Sequence, residues 1–264
     1  MSKYLFLILC LLLVVETYLS QSNANELDQN TNFILGNSSK TKFTYFEPTY
    51  FIFGKDDLKL QISGKYRLAK SLNLYFGFTQ TMFWNIYITS QPFSDINYNP
   101  EVFYRIVEDD IHNLKSLDFG LIHSSNGKDG SISRSLNRVY IKTNYASKID
   151  RHSFIGEFKF YDIFTHENTN YDIKNYLGFW DFTFHFTHLI VHQNQRLDLE
   201  FRVFAGKKII NFKQGGRSLG FIYNFASDNF NPSLYLQYYS GHAESLLGYN
   251  KTSEQVRLGL LLFL

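Results

Sequence analysis

Residues 117–142, LDFGLIHSSNGKDGSISRSLNRVYIK, contain three polar side chains able to do chemistry together. His123 and Ser125 are two apart, so on a β-strand they share a face while Ser124 points the other way. Leu117, Phe119 and Leu121 precede them in the same phase. Downstream, Val139 and Ile141 form an apolar row that Asn137 opens, with Arg138, Tyr140 and Lys142 on the opposite face. A serine hydroxyl becomes a useful nucleophile when a base is in reach, and the base needs a third group to fix its tautomer. Ser125, His123 and Asn137 are of those three types. Asparagine serves as orienter in Cys-His-Asn proteases, and a neutral amide costs less beside hydrocarbon than a carboxylate does. The same residues also fit a plain polar cluster at strand ends. Spacing and phase leave both readings open.

The elements that must hold these residues alternate with period two. In Leu58–Leu68 the even positions are Leu58, Leu60, Ile62, Gly64, Tyr66 and Leu68, and the odd ones are Lys59, Gln61, Ser63, Lys65 and Arg67. Similar alternation runs through Leu72–Thr79, Phe154–Phe160, Trp180–Phe186, Leu197–Val203 and Val256–Leu264. Clusters of turn formers, Gly54–Asp57, Asn144–Lys148 and Ala226–Asn229, separate the segments, and Asn97–Pro100 reads as a turn leading into a strand. Strands of soluble proteins are mostly 5–6 residues long, whereas several in this chain reach about 10, the length a tilted strand needs to cross hydrocarbon. One face carries large Leu and Phe. The other carries more Lys, Arg, Asp and Glu than a dry sandwich core tolerates. The chain therefore reads as an all-β protein, an antiparallel transmembrane β-barrel over residues 42–264. At roughly 20 residues per strand with its connection, it has on the order of 12 strands. In that barrel His123, Ser125 and Asn137 face lipid, where polar and ionisable groups are expensive and point to function.

Composition agrees. The 264 residues are 18% aromatic with 4 Pro, and the formal net charge of +2 offers no electrostatic case for nucleic acid. A mean hydropathy of −0.22 excludes a helical membrane bundle. Lys3, the apolar run Tyr4–Val15 and the small residues of Ser22–Ala24 read as a secretory signal peptide over 1–24, followed by a polar lead-in over 25–41. The single cysteine, Cys10, falls inside that run, leaving no thiol for a disulfide, a nucleophile or a thiolate metal site.

Three stretches, HSSNG (123–127), SRSLNRVY (133–140) and QPFSDINYNPE (91–101), resemble the bacterial outer-membrane phospholipase A family. FTQ (78–80) and LQYYSGHAESLLGYN (236–250) extend the likeness over most of residues 45–264. The resemblance implies a calcium-dependent hydrolase of the bacterial outer membrane, cleaving sn-1 or sn-2 acyl esters of phospholipids and lysophospholipids and active as a homodimer. By position it implies Ser125 as nucleophile, His123 as general base and acid, Asn137 as orienter and the Gly127 N–H as oxyanion-hole donor. Calcium would take the Lys128 carbonyl, Ser133, and Ser90 of the partner subunit. Gln80 corresponds to a polar residue of the dimer interface. Gly130 stands where members can carry an acidic residue, with Asp129 one place earlier, and Leu136 stands where tryptophan is common.

His185, His188 and His192 share a short stretch, but within an alternating strand they read as lumen or turn residues rather than metal ligands. Ser240–Glu244 reads as a strand-end turn. The class alone also supports a non-enzymatic small barrel, a pore or an adhesion scaffold, its lumen plugged by the charged inner row.

Overall fold

In the segment Leu58–Ala69, Lys59 and Lys65 are buried while Ile62, Tyr66 and Leu68 are exposed. The inversion recurs around the molecule: Asp118 is 0% exposed, and Leu121, on the same strand, is 54% exposed. Apolar side chains outside and charges inside suit a wall bathed in hydrocarbon. Among the described residues, no helix is long and apolar enough to cross a membrane.

The computed structural model describes residues 42–69, 72–107, 113–149, 152–192, 195–225 and 232–262. The expected signal peptide, the lead-in and the Ala226–Asn229 turn lie outside these residues. The strands are β1 (Phe43–Thr44), β2 (Thr49–Gly54), β3 (Leu58–Ala69), β4 (Leu74–Trp84), β5 (Phe93–Val107), β6 (Leu114–Ser125) and β7 (Ser135–Ile149). They continue as β8 (His152–His166), β9 (Trp180–His192), β10 (Gln195–Phe204), β11 (Gly216–Asn224), β12 (Ser233–Gly241) and β13 (Ser253–Leu262). Each pairs antiparallel with its neighbours; β13 pairs with β2 and β3 with β4, so β2–β13 close a twelve-stranded barrel as expected. Connections 126–134, 167–179, 205–215 and 242–252 lie at one end of the barrel. Long loops mark the outward end of such barrels, short turns the inward one.

Two stretches that read as turns are strand. Asn144–Lys148 belongs to β7, whose pairing with β8 runs on to Ile149↔His152. Its polar residues misled because they face a polar lumen: Asn144 Nδ2 donates to Ser116 Oγ at 2.8 Å. Asn97–Pro100 belongs to β5, with Asn97 buried and its Oδ1 accepting from the Leu246 N–H at 3.0 Å.

The first wall strand is interrupted. β1 pairs with β3 at Phe43↔Tyr66 and β2 at Tyr50↔Gln61, so residues 45–48 bulge out of the wall into the lumen. There the Phe46 ring stacks on Phe103 at 5.5 Å, Phe103 stacks on Tyr75 at 5.1 Å, and Lys142 Nζ lies 4.9 Å over Phe46. Outside, Phe43 covers Gly64, where a Cβ would come within 2.3 Å of the ring. Ion pairs fill the rest of the interior. Arg105 grips Asp118 with two bonds of 2.7 and 2.9 Å. Lys142 Nζ lies 3.2 Å from Glu157 and 3.6 Å from Glu47. Arg257 binds Asp57 through Nε at 2.7 Å and Glu244 through its NH1 nitrogen at 2.6 Å. A cavity of about 310 Å³ remains, lined by charged and polar side chains including Lys59, Glu101 and Glu200.

Glu244 reaches into this network from the 242–252 loop. Burial opposes its charge, yet Lys59 at 3.2 Å and Arg257 hold its carboxyl below the usual carboxylate range. Its folded pKa lies below its unfolded one, so its contribution is complete at neutral pH and lost as pH falls through the folded value. Removing one partner of a buried pair costs about 3–5 kcal/mol because the other charge stays buried. Arg257→Ala, which strands Asp57 and leaves Glu244 with Lys59 as its remaining ion-pair partner, is therefore expected to lower the stability of the folded barrel by about that much. Urea unfolding followed by tryptophan fluorescence checks this; an unchanged midpoint contradicts it.

Candidate active site on the lipid-facing wall

The β6–β7 hairpin brings the polar residues together. Ile122 and Ser124 are buried toward the lumen, so His123 and Ser125 project from the outer face in line with Phe119 and Leu121. His123 pairs with Asn137 across the ladder, and its Nδ1 lies 2.8 Å from Asn137 Oδ1. Ser125 is one step nearer the loop, opposite Ser135 on one side and Tyr98 on the other. Ser124 is engaged inside the barrel: its Oγ donates to Asn99 Oδ1 at 2.7 Å and accepts from Arg138 at 3.1 Å.

A residue that sequence reasoning missed completes the row. Asn137 Nδ2 donates to Thr165 Oγ1 at 2.7 Å. That bond turns the amide so that its oxygen faces the imidazole. An amide oxygen only accepts, so Nδ1 carries the proton and Nε2 is left as the acceptor nitrogen of the ring. Thr165 comes into place through a β-bulge: Asn137 pairs with Thr165 but Arg138 with Ile163, leaving Phe164 unpaired. Strict alternation, with Tyr161 and Ile163 inward, would have turned residue 165 into the lumen. The extra residue re-aims it, as bulges beside functional sites do. No sequence signal marks this. On the other flank, the register between Tyr98↔Ser125 and Glu101↔Ile122 sets Pro100 level with His123.

The loop after β6 is built on Asn126, also missed, whose side chain is 3% exposed. Its Oδ1 accepts from the Arg134 N–H at 2.9 Å and its Nδ2 donates to the Ile132 carbonyl at 2.9 Å, tying the loop's two ends together. Gly127 has φ +63°, and a Cβ there would meet Tyr98 Cε2 at 2.9 Å, so the position requires glycine. The next connection braces the far side of the loop: Thr169 donates to the Ser133 carbonyl, and Asn170, fully buried, donates to the Ser135 carbonyl at 3.1 Å. The Lys128 carbonyl and the Ser133 hydroxyl make no hydrogen bond among the described residues. They are hard oxygen donors in a fixed loop beside Ser125, a donor set that fits calcium. Among the described residues, no group of three or more His, Cys, Asp or Glu is placed to hold a metal.

Other residues singled out in the sequence lie elsewhere. Ser90 sits at φ +66° on the exposed tip of the β4–β5 connection, away from Lys128 and Ser133 along the same rim. Gln80 faces outward on β4, and the ladder Gln80↔Tyr98↔Ser125 puts it in the serine's row. Leu136 points into the lumen with Tyr161, Ile163 and Ile173, on the opposite face from Asn137. His185 lies 3.7 Å from Glu200 in the lumen. His188 stands at φ +59° where the β9–β10 register shifts, with its N–H on Asp198 at 2.8 Å.

Comparison with known proteins gives a consistent result. The profile of one family, phospholipase A1, matches residues 15–262. Phospholipase A1 of Escherichia coli K12 is 27% identical over 220 residues, covering 79% of this chain and 70% of that protein. Phospholipase A1 of Klebsiella pneumoniae is 28% identical over 218 residues, covering 79% and 71%. Among solved structures, outer-membrane phospholipase A from Escherichia coli superimposes with a TM-score of 0.71 at 22% identity, over 87% of this chain and 96% of that one. The Salmonella typhi outer-membrane phospholipase, solved as a dimer with bound calcium, gives 0.71 at 24% identity with the same coverage. The match spans nearly the whole chain, and the superposition shares its barrel: the chain belongs to the phospholipase A1 family and has the fold of outer-membrane phospholipase A.

Proposed function

We propose that the protein hydrolyses acyl esters of phospholipids and lysophospholipids in the outer membrane, with Ser125 as nucleophile, His123 as general base and acid, and Asn137 as orienter. The observation that carries this reading is the 2.8 Å bond between His123 and Asn137 on the lipid-facing wall, with Ser125 on the same face. His123 Nε2 takes the Ser125 proton as Oγ attacks the ester carbonyl, and then delivers it to the leaving glyceryl oxygen. Water hydrolyses the acyl-enzyme by the same route in reverse. The Gly127 N–H follows the serine by two residues and serves the oxyanion. Lys128, Ser133 and Ser90 of the partner subunit would hold calcium, which when bound supplies positive charge beside the developing oxyanion.

The homodimer belongs to the same proposal. Gln80 is an uncharged polar side chain facing lipid between Ile62 and Tyr98, and a second copy against β4 would give its amide a partner. The groove between two such walls would place an acyl chain alongside Ser125. The family's relatives carry the phospholipase name, and an active-site mutant of the Escherichia coli protein replaces an asparagine by alanine, which accords with Asn137 as orienter.

Fatty-acid release from phosphatidylcholine in detergent, with calcium or with chelator, tests the assignment. Calcium-dependent release is expected, and Ser125→Ala should lower it by roughly 10³-fold or more. Release that survives the substitution refutes Ser125 as nucleophile. Thr165 is a positioning residue in this scheme. Thr165→Val is expected to reduce kcat about tenfold, the equivalent of one lost hydrogen bond, and leave KM nearly unchanged. Thr165→Ser should restore the rate, and equal loss in both variants would contradict the hydroxyl's role.

A further inference from the structure

The outer wall carries a second polar interruption, beyond β8 and β9 and at the same end as the catalytic loop. The segment 205–217, AGKKIINFKQGGR, holds Lys207, Lys208, Lys213 and Arg217 and no acidic residue. All four cations are exposed, and none makes an ion pair or a side-chain hydrogen bond among the described residues. The loop itself is held. The Lys207 N–H donates to the Asn175 carbonyl at 3.1 Å, Trp180 Nε1 donates to the Ile209 carbonyl at 3.1 Å, and the Phe212 ring packs edge-on against Trp180 at 6.2 Å.

Beneath this loop lies a cavity of about 190 Å³, lined by Phe212, Lys213, Arg217, Ser240, His242 and Thr252. Two cations, two hydroxyls and an imidazole around one small space suit an oxyanion with several acceptor oxygens. Burial pushes the His242 imidazole below its ordinary range, and its Nε2 lies 3.3 Å from Thr252 Oγ1. Position on the wall defines the ligand further. Val203, Arg217, Ser240 and Glu254 form one outward row across β10–β13, with Glu254 accepting from Tyr238 Oη at 2.9 Å. Two rows nearer the membrane centre, Phe221, Leu236 and Leu258 lie side by side and exposed. In the same loop Ile209, Ile210 and Phe212 are more than half exposed, as apolar residues of an interfacial segment are. A free anion would use the cations and leave these apolar surfaces idle. A lipid uses both.

We infer that Lys213 and Arg217, with Ser240, His242 and Thr252, form a site for the phosphate of an anionic lipid headgroup, whose acyl chains run down the wall over Phe221 and Leu236. The site shares no residue with Ser125, His123 or Asn137 and stands apart from the proposed reaction.

Native mass spectrometry of the folded, full-length protein in neutral detergent tests this with ether-linked lipids, which contain no cleavable ester. The wild type is expected to retain ether-linked phosphatidic acid and to release ether-linked phosphatidylcholine. Lys213→Gln with Arg217→Gln should lower retention about tenfold, as the loss of charge-assisted bonds predicts. Lys207→Gln with Lys208→Gln, the same charge change outside the cavity, should retain the lipid. Equal retention of both lipids, equal loss in both double variants, or displacement by inorganic phosphate at the lipid's own concentration would overturn the proposal. Each variant's fold is confirmed by the heat-dependent gel mobility of intact barrels.

Discussion

A hydrogen bond between an imidazole and an amide on the outside of a barrel faces the worst solvent available for it. Each polar group left unpaired in hydrocarbon costs several kcal/mol, so polar atoms there must satisfy one another. His123, Asn137 and Thr165 do so in sequence across β6, β7 and β8, through bonds of 2.8 and 2.7 Å. Low-dielectric surroundings on the lipid side strengthen such bonds. A chain of donors and acceptors fixed by lipid on one side and by the ladder on the other leaves Nε2 as the free imidazole nitrogen. The chemistry available to Ser125 follows from that single constraint.

The rest of the barrel keeps this row in place. Alternation sends every second residue of β6 and β7 into the lumen, where Ser124, Asn99 and Arg138 are bonded together directly behind the site. Glu101 and Tyr140 are bonded further along the same interior. Charges that could not face lipid are thus used as a polar core, and the inserted Phe46 fills space that ion pairs leave open. Such a core resists shear between neighbouring strands, and a site spread over three strands depends on that. At the rim, Asn126 and the buried Asn170 do the same for the 126–134 loop with hydrogen bonds in place of charges.

Much of this was legible because the barrel's rule is simple. Leu58–Leu68 and Leu197–Val203 show an apolar and a polar face on inspection, and the same phase carried His123, Ser125 and Asn137 to the outer wall. Reading failed where the rule had a second cause. Asn144–Lys148 and Asn97–Pro100 look like turns because turn formers and lumen-facing residues are chemically alike. Thr165 could not be found by phase, since the bulge at Phe164 changes phase at that point. Asn126 carries no sequence signal that separates it from other loop asparagines, and its burial follows from the loop folded around it.

The central claim is that Ser125 is a nucleophile activated by His123 on the outer wall. Treating the folded protein in detergent and calcium with a sulfonyl fluoride, then locating the adduct by peptide mass spectrometry, tests it most directly. A single adduct on Ser125, lost in His123→Ala, is the predicted result. A protein that stays unlabelled, or that is labelled equally at other serines, would contradict the account.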